Sequence, residues 1–195
     1  MNKEQKELYW KHKREGRNSP TKYITPNKKR IARTEQLLDY FNQYFCKTHK
    51  ILELGCNAGR NLKALKDEGF NNIEGVEINA DAIRLLRTQK GLENIKVKEC
   101  SLHNLFPITE TYDVIFTMAV FEHIADDPLF FSQLQNNTNF LITIEDEFTK
   151  SDRHKARNYK KLFESFGFRQ IESKRFLKGL PLSFVRRMFI RKEKK

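Results

Sequence analysis

The run Ile51-Leu52-Glu53-Leu54-Gly55-Cys56-Asn57-Ala58-Gly59-Arg60-Asn61 decides how this chain folds. An apolar stretch of strand length enters a loop with two glycines, and residues that suit a helix follow. Glycine lets the chain turn sharply and lets the backbone approach a ligand that a Cβ would obstruct. The run therefore predicts strand, ligand-binding turn and helix in succession. Working outward, further short apolar runs lie at 73–78, 95–97, 114–116 and 140–144, with helical patterns between them at 61–67, 81–87 and 128–135. The last of these starts with Pro128, which suits a first helical turn. Such alternation predicts βαβ units and a doubly wound α/β fold. Upstream, Leu37, Leu38, Phe41, Tyr44 and Phe45 mark one face of an amphipathic helix over 28–45. Downstream, a helix over 156–166 is stopped by Gly167, and a strand is expected over 169–176.

Loops of this kind serve several nucleotides, but the G-x-G-x-x-G dinucleotide pattern counted from Gly55 puts Asn57 and Arg60 where glycines are needed. That disfavours a nicotinamide-dependent oxidoreductase. The run instead resembles the E-x-G-x-G-x-G loop of class I S-adenosylmethionine (SAM)-dependent methyltransferases, including small bacterial methylases of sugars and metabolites. Glu53, Gly55 and Gly59 match, and Asn57 stands at the central glycine. The resemblance extends from about residue 50 to 144. It implies a mostly parallel, seven-stranded Rossmann-like sheet with helices on both faces, and SAM as cofactor. It also implies a cofactor-binding set of Glu53, Gly55, Cys56, Asn57, Gly59 and Asn61 at the first loop. Cys56 is expected to act as a small loop residue, not as a nucleophile.

Glu77 ends the second strand about twenty residues past the loop, where a carboxylate can accept both ribose hydroxyls, and Ile78 beside it would flank the adenine. After the third strand the family often has an acid for the adenine amino group; here Ser101 takes that place, followed by Leu102. The segment Tyr112-Asp113-Val114-Ile115-Phe116-Thr117-Met118 resembles the family's fourth strand, with Thr117 and Met118 at its cofactor end and Phe121-Glu122-His123-Ile124 as the short helix after it.

Transfer to an alcohol oxygen calls for an aligned acceptor and a base. His154 is the first candidate, on a polar stretch after the fifth strand at the edge where open α/β sheets bind ligands; Glu145, Asp146 and His123 are the alternatives. No H-E-x-x-H or paired C-x-x-C spacing occurs, so no metal is expected. The bland reading of most of these side chains is a solvated charge run. Tyr9, Trp10 and Tyr23 are candidates for a lid over the cofactor.

The formal charge of +12 is concentrated at the ends. Residues 1–34 carry eleven Lys/Arg against three acids, and residues 174–195 nine against one, while the middle is mildly acidic. The expected organisation is a basic helical lid or extension over 1–34, a SAM-binding domain over 35–176, and a basic amphipathic tail over 177–195 that is a docked helix, a last strand or a helix at a membrane surface. No run approaches the length of a membrane span, the N-terminus lacks an apolar signal region, and three scattered cysteines suit a reducing cytoplasm. The expected acceptor is a small molecule or saccharide, methylated at oxygen. RNA ranks behind it: the basic ends favour it, but no Asn/Asp-Pro-Pro-Tyr signature follows the fourth strand. A SAM-binding scaffold or sensor without turnover is the reading from another class.

Overall fold

The computed structural model describes residues 1–16, 18–26, 28–107, 109–125, 127–175, 181 and 183–192. Helices α1 (Lys3–Lys11), α2 (Pro20–Ile24) and α3 (Lys28–Tyr44) precede β1 (Ile51–Leu54). Then follow α4 (Arg60–Asp67), β2 (Ile73–Glu77), α5 (Ala80–Arg87), β3 (Lys96–Glu99), β4 (Tyr112–Met118), α6 (Pro128–Asn137), β5 (Thr138–Asp146), α7 (Tyr159–Ser165), β6 (Phe168–Lys174) and β7 (Phe184–Arg191). The seven strands form one sheet in the order β3-β2-β1-β4-β5-β7-β6. β1 to β5 pair in parallel, and β7 runs antiparallel to both β5 and β6.

Period-2 alternation divides the apolar residues between two cores. On one face Ile51, Val114, Phe116, Ile142 and Met188 meet Leu37, Tyr40 and Phe41 of α3 and Leu62 and Leu65 of α4. On the other, Leu52, Leu54, Ile115, Leu141 and Phe189 meet Phe130, Phe131 and Leu134 of α6 and Tyr159 and Phe163 of α7. Each fully buried Leu or Phe contributes about 1.5–3 kcal/mol, and the two layers sandwich the sheet as the doubly wound reading requires. The helices start where side chains can cap them. Asn79 accepts from the amides of Asp81 and Ala82 at α5, Asp127 from Phe130 ahead of Pro128 at α6, and Asn158 from Lys161 at α7. That last cap is why α7 begins at Tyr159 and not at 156.

Of the three forms read for the basic tail, the structure contains the strand, not the docked or membrane-surface helix. β7 is inserted between β5 and β6, so the sheet extends past the expected boundary at residue 176, which itself lies outside the described residues. Because β7 is buried on both faces, it reads as a nearly continuous apolar run, and periodicity cannot separate that from a helix face. Two of its arginines are paired with acids. Arg187 makes two hydrogen bonds to Glu147, and Arg186 reaches Glu172 at 2.8 Å while its guanidinium lies over the Tyr40 ring. Among the described residues, no helix is long and apolar enough to cross a membrane.

Candidate active site

The C-terminal ends of β1, β2 and β4 open onto a pocket roofed by α1. At its floor the β1 loop folds as the glycines predict. Gly55 and Gly59 have φ of 72° and 78°, and Asn57, at 49°, occupies the same left-handed region that a third glycine would fill. Side chains, not only ligand access, enforce the glycines: a Cβ on Gly55 would come within 2.6 Å of Val120, and one on Gly59 within 2.7 Å of Leu86. Cys56 is buried, its thiol pushed well above the usual range by that burial. A Cβ on Gly75 would meet its sulfur at 2.7 Å, so Cys56 packs as a small loop residue.

Of the residues read as cofactor-binding, Gly55, Asn57, Glu77, Ile78, Ser101, Leu102 and Met118 line the pocket. Glu77 ends β2 with its carboxylate accepting the amides of Asn57, Ile78 and Asn79 at 2.8–2.9 Å. Burial raises its pKa against these three hydrogen bonds, and they fix the β1 and β2 loops to one another. Glu53 and Asn61 form a buried pair, Asn61 Nδ2 donating to Glu53 Oε1 at 2.7 Å. Glu53 Oε2 is buried without a partner, and burial pushes the carboxyl up to about 8. Thr117 and Gly59 serve the scaffold: the Thr117 hydroxyl donates to Glu145 at 2.6 Å.

Glu145 itself is wholly buried. Besides Thr117, it accepts the amides of Val120 and Glu122, closing the sharp turn after β4 in which Ala119 adopts φ 58°. Asp146 is likewise committed, to the amides of Phe148 and Thr149 and the hydroxyls of Thr149 and Ser183. Both alternatives for a base are thus engaged in holding loops. His123 and His154 are differently placed. The chain after β5 folds back over the β4 turn, its Arg157 guanidinium on the carbonyls of Phe121 and Ile124 and its Lys155 amide on Glu122 O. This brings the imidazole of His154 to 4.7 Å from that of His123, centroid to centroid. His123 lines the pocket, and burial pushes its pKa down to about 4; burial also lowers that of His154. The His123 ring is therefore neutral at pH 7. Glu122, beside them, is raised by burial and by the Glu145 charge.

Among the lid candidates, Trp10 and Tyr23 line the pocket, and the Trp10 ring packs against His123 with centroids 4.7 Å apart and planes tilted by 44°. Tyr9 accepts from Arg153 at 2.8 Å, tying α1 to the post-β5 loop. Asn79 Nδ2 donates to the carbonyls of Trp10 and Lys13, which anchors the end of α1. Sequence reading missed Glu7, Lys3 and Lys6 of α1 as pocket residues. Nothing in a short polar helix says which turn faces a ligand carried by loops some fifty to a hundred residues away. It missed Glu122 too, although the residue stood inside a quoted motif.

A family profile described as a methyltransferase domain matches residues 26–180. No curated protein matches the sequence. The fold is similar to that of the CcbJ methyltransferase from Streptomyces caelestis, with a TM-score of 0.72 at 11% identity over 96% of this chain and 99% of that one. It is also similar to a SAM-dependent methyltransferase from Mesorhizobium loti, with a TM-score of 0.63, 11% identity and coverage of 78% and 96%. Magnesium protoporphyrin IX methyltransferase from Synechocystis, solved with S-adenosylhomocysteine, gives 0.67 at 13% identity over 86% and 89%. At these identities the likeness is one of fold.

Proposed function

This chain belongs to the methyltransferase-domain family, and from that premise we propose that it is a SAM-dependent enzyme methylating an oxygen of a small-molecule acceptor, a saccharide being the class that the sequence resemblance implies. The residues present fit the cofactor. Glu53 Oε2, buried and unpartnered, is an acceptor in want of a cationic donor. Glu77 stands at the strand end to take ribose hydroxyls, and Ile78 and Leu102 offer apolar walls for a purine. When bound, SAM supplies a methyl group on a sulfonium, an electrophile for any well-placed lone pair. The chain's own contribution is to hold the acceptor and to withdraw water and a proton from it.

The observation that carries the choice of oxygen is the cluster of Glu122, His123 and His154, of which His123 lines the pocket. An imidazole facing a carboxyl group can take up a hydroxyl proton, and His154 is the more exposed of the two rings. An RNA acceptor is the second reading, favoured by Lys3 and Lys6 at the pocket wall. The test is an acceptor screen with SAM, following S-adenosylhomocysteine release over panels of sugars, polyols and phenols, with short RNAs in parallel. Turnover with a hydroxyl compound, reduced by His154→Ala, supports the proposal. Turnover confined to RNA, or to amine acceptors, rejects it.

A further inference from the structure

At the rim of the pocket, three donor atoms from two separate segments face one point. Glu122 Oε1 lies 3.5 Å from His123 Nε2 and 3.8 Å from His154 Nε2, and the three atoms lie within 4.8 Å of one another. These separations are too long for hydrogen bonds between them. They are close to the edges of a coordination polyhedron: with metal–ligand bonds of about 2.1 Å, neighbouring ligand atoms sit about 3.0 Å apart at right angles and about 3.4 Å at the tetrahedral angle. The two carboxylate–imidazole edges are within a few tenths of an ångström of that geometry, and the two imidazole nitrogens, which lie within 4.8 Å of one another, would approach by up to about 1.4 Å as the loop carrying His154 closes on a metal.

The far side of each group is already engaged. His123 Nδ1 lies 3.1 Å from the carbonyl of Arg153 and can bond it only as a donor, which leaves the Nε2 lone pair of the neutral ring free. His154 Nδ1 is 2.7 Å from Ser151 Oγ. Glu122 Oε2 accepts the amide of Asp146 at 2.6 Å, leaving Oε1 directed at the histidines. Outer-shell hydrogen bonds of this kind orient the ligands of metal centres. A shared proton or an acceptor hydroxyl could explain one histidine facing Glu122, but it does not require two imidazole nitrogens directed at the same oxygen.

We propose that Glu122, His123 and His154 bind a divalent transition-metal cation at the rim of the cofactor pocket. Two imidazoles and one carboxylate suit zinc, manganese or ferrous iron better than the all-oxygen preference of calcium. Three protein ligands leave positions open, and His123 borders the pocket, so those positions can take one or two oxygens of an acceptor. The expectation of no metal rested on linear ligand spacing; here two ligands are adjacent in the sequence and the third arrives from the loop that Arg157 pins. What the cation does for catalysis rests on the oxygen-methylation reading; the site itself does not. A coordinated nitrogen cannot also take a proton, so on that reading a bound cation would replace the imidazoles as the group that makes the acceptor hydroxyl acidic.

The test uses full-length, tag-free protein stripped with chelator and titrated with Co2+, followed by visible absorption and calorimetry, with a SAM titration on the same sample. Wild type is expected to bind one equivalent with a visible band, and His154→Ala to weaken binding by about 100-fold or more while SAM affinity stays within about twofold. Because Glu122 is buried, Glu122→Gln serves as a second variant, with its thermal melt recorded; it too is expected to lose the band. Absence of a Co2+ band in wild-type protein that binds SAM overturns the metal site and leaves the methyltransferase reading intact. Binding unchanged in both variants also overturns it. Metal binding without SAM binding would count against the cofactor and not against the site.

Discussion

The hydroxyl of Ser101 donates to Glu7 Oε1, joining the loop after β3 to the helix that roofs the pocket. Ser101 stands where the resembling family often has an acid, so the carboxylate missing from that loop is supplied by α1. Glu7→Ala should weaken SAM binding about tenfold, the worth of one hydrogen bond to a charged acceptor. Glu7→Gln, which keeps an acceptor, should lose less, and Ser101→Ala least. Calorimetric titration ranks the three; wild-type affinity in Glu7→Ala would separate α1 from the adenine.

Glu53 should make cofactor binding release a proton. Its carboxyl, held up to about 8 by burial, is mostly protonated at pH 7 in the free protein. A cationic amino group against Oε2 favours the carboxylate, so binding at pH 7 expels the proton, and the effect fades above about pH 9, where the group is already ionised. Titrations in buffers of different ionisation enthalpy should give a non-zero slope at pH 7 that Glu53→Gln abolishes. For the free protein, the folded pKa lies above the ordinary 4.5. The stability Glu53 confers is therefore complete below about pH 4.5 and lost as pH rises through about 8. Glu53→Gln should flatten the melting temperature across that window.

The β1 loop predicts a contrast between two substitutions. Gly59→Ala forces a Cβ at φ 78° into Leu86 and Leu92 and should cost about 2–4 kcal/mol, combining left-handed strain with overpacking. Asn57→Gly relaxes a residue at φ 49° at the cost of the hydrogen bond that its Oδ1 accepts from the Ala58 amide, and should stay within about 1 kcal/mol of wild type. Urea unfolding of both measures the difference. Equal losses would mean that the loop does not depend on its backbone conformation.

What could be read in the sequence was local. The loop from Glu53 to Asn61, the acid at Glu77 and the alternation of strands and helices each depend on residues near one another in the chain, and these brought the fold within reach. The two halves of the candidate reaction centre were less legible. His123 and His154 were named separately, but their meeting at Glu122 depends on how the chain after β5 returns over the β4 turn, through Arg157 and the Lys155 amide. Glu145 looked like an acid at a ligand-binding edge because nothing in the sequence shows that backbone amides from residues 120 and 122 would claim it. The same holds for β7, whose arginines suggest a solvated tail until their partners on β5, β6 and the loop after β5 are known.

Those partners supply the last prediction. Arg187 Nε and Nη2 bond both oxygens of Glu147, at 2.6 and 2.8 Å, and Nη1 reaches Gln170. The side chain of Glu147 is only 4% exposed. Removing the arginine alone leaves a carboxylate in a site with little water, so Arg187→Ala should cost about 3–5 kcal/mol. Removing both charges together should not: Arg187→Met with Glu147→Leu keeps apolar volume between β7 and the loop after β5 and should recover most of that loss, because a buried ion pair contributes little net stability over a packed apolar one. Urea unfolding of the two singles and the double measures the coupling. Recovery in the double would establish β7 as a buried strand in solution, since a solvated tail or a surface helix would lose little from either charge. A small loss in Arg187→Ala, or no recovery, would count against the pairing of β7 with β5.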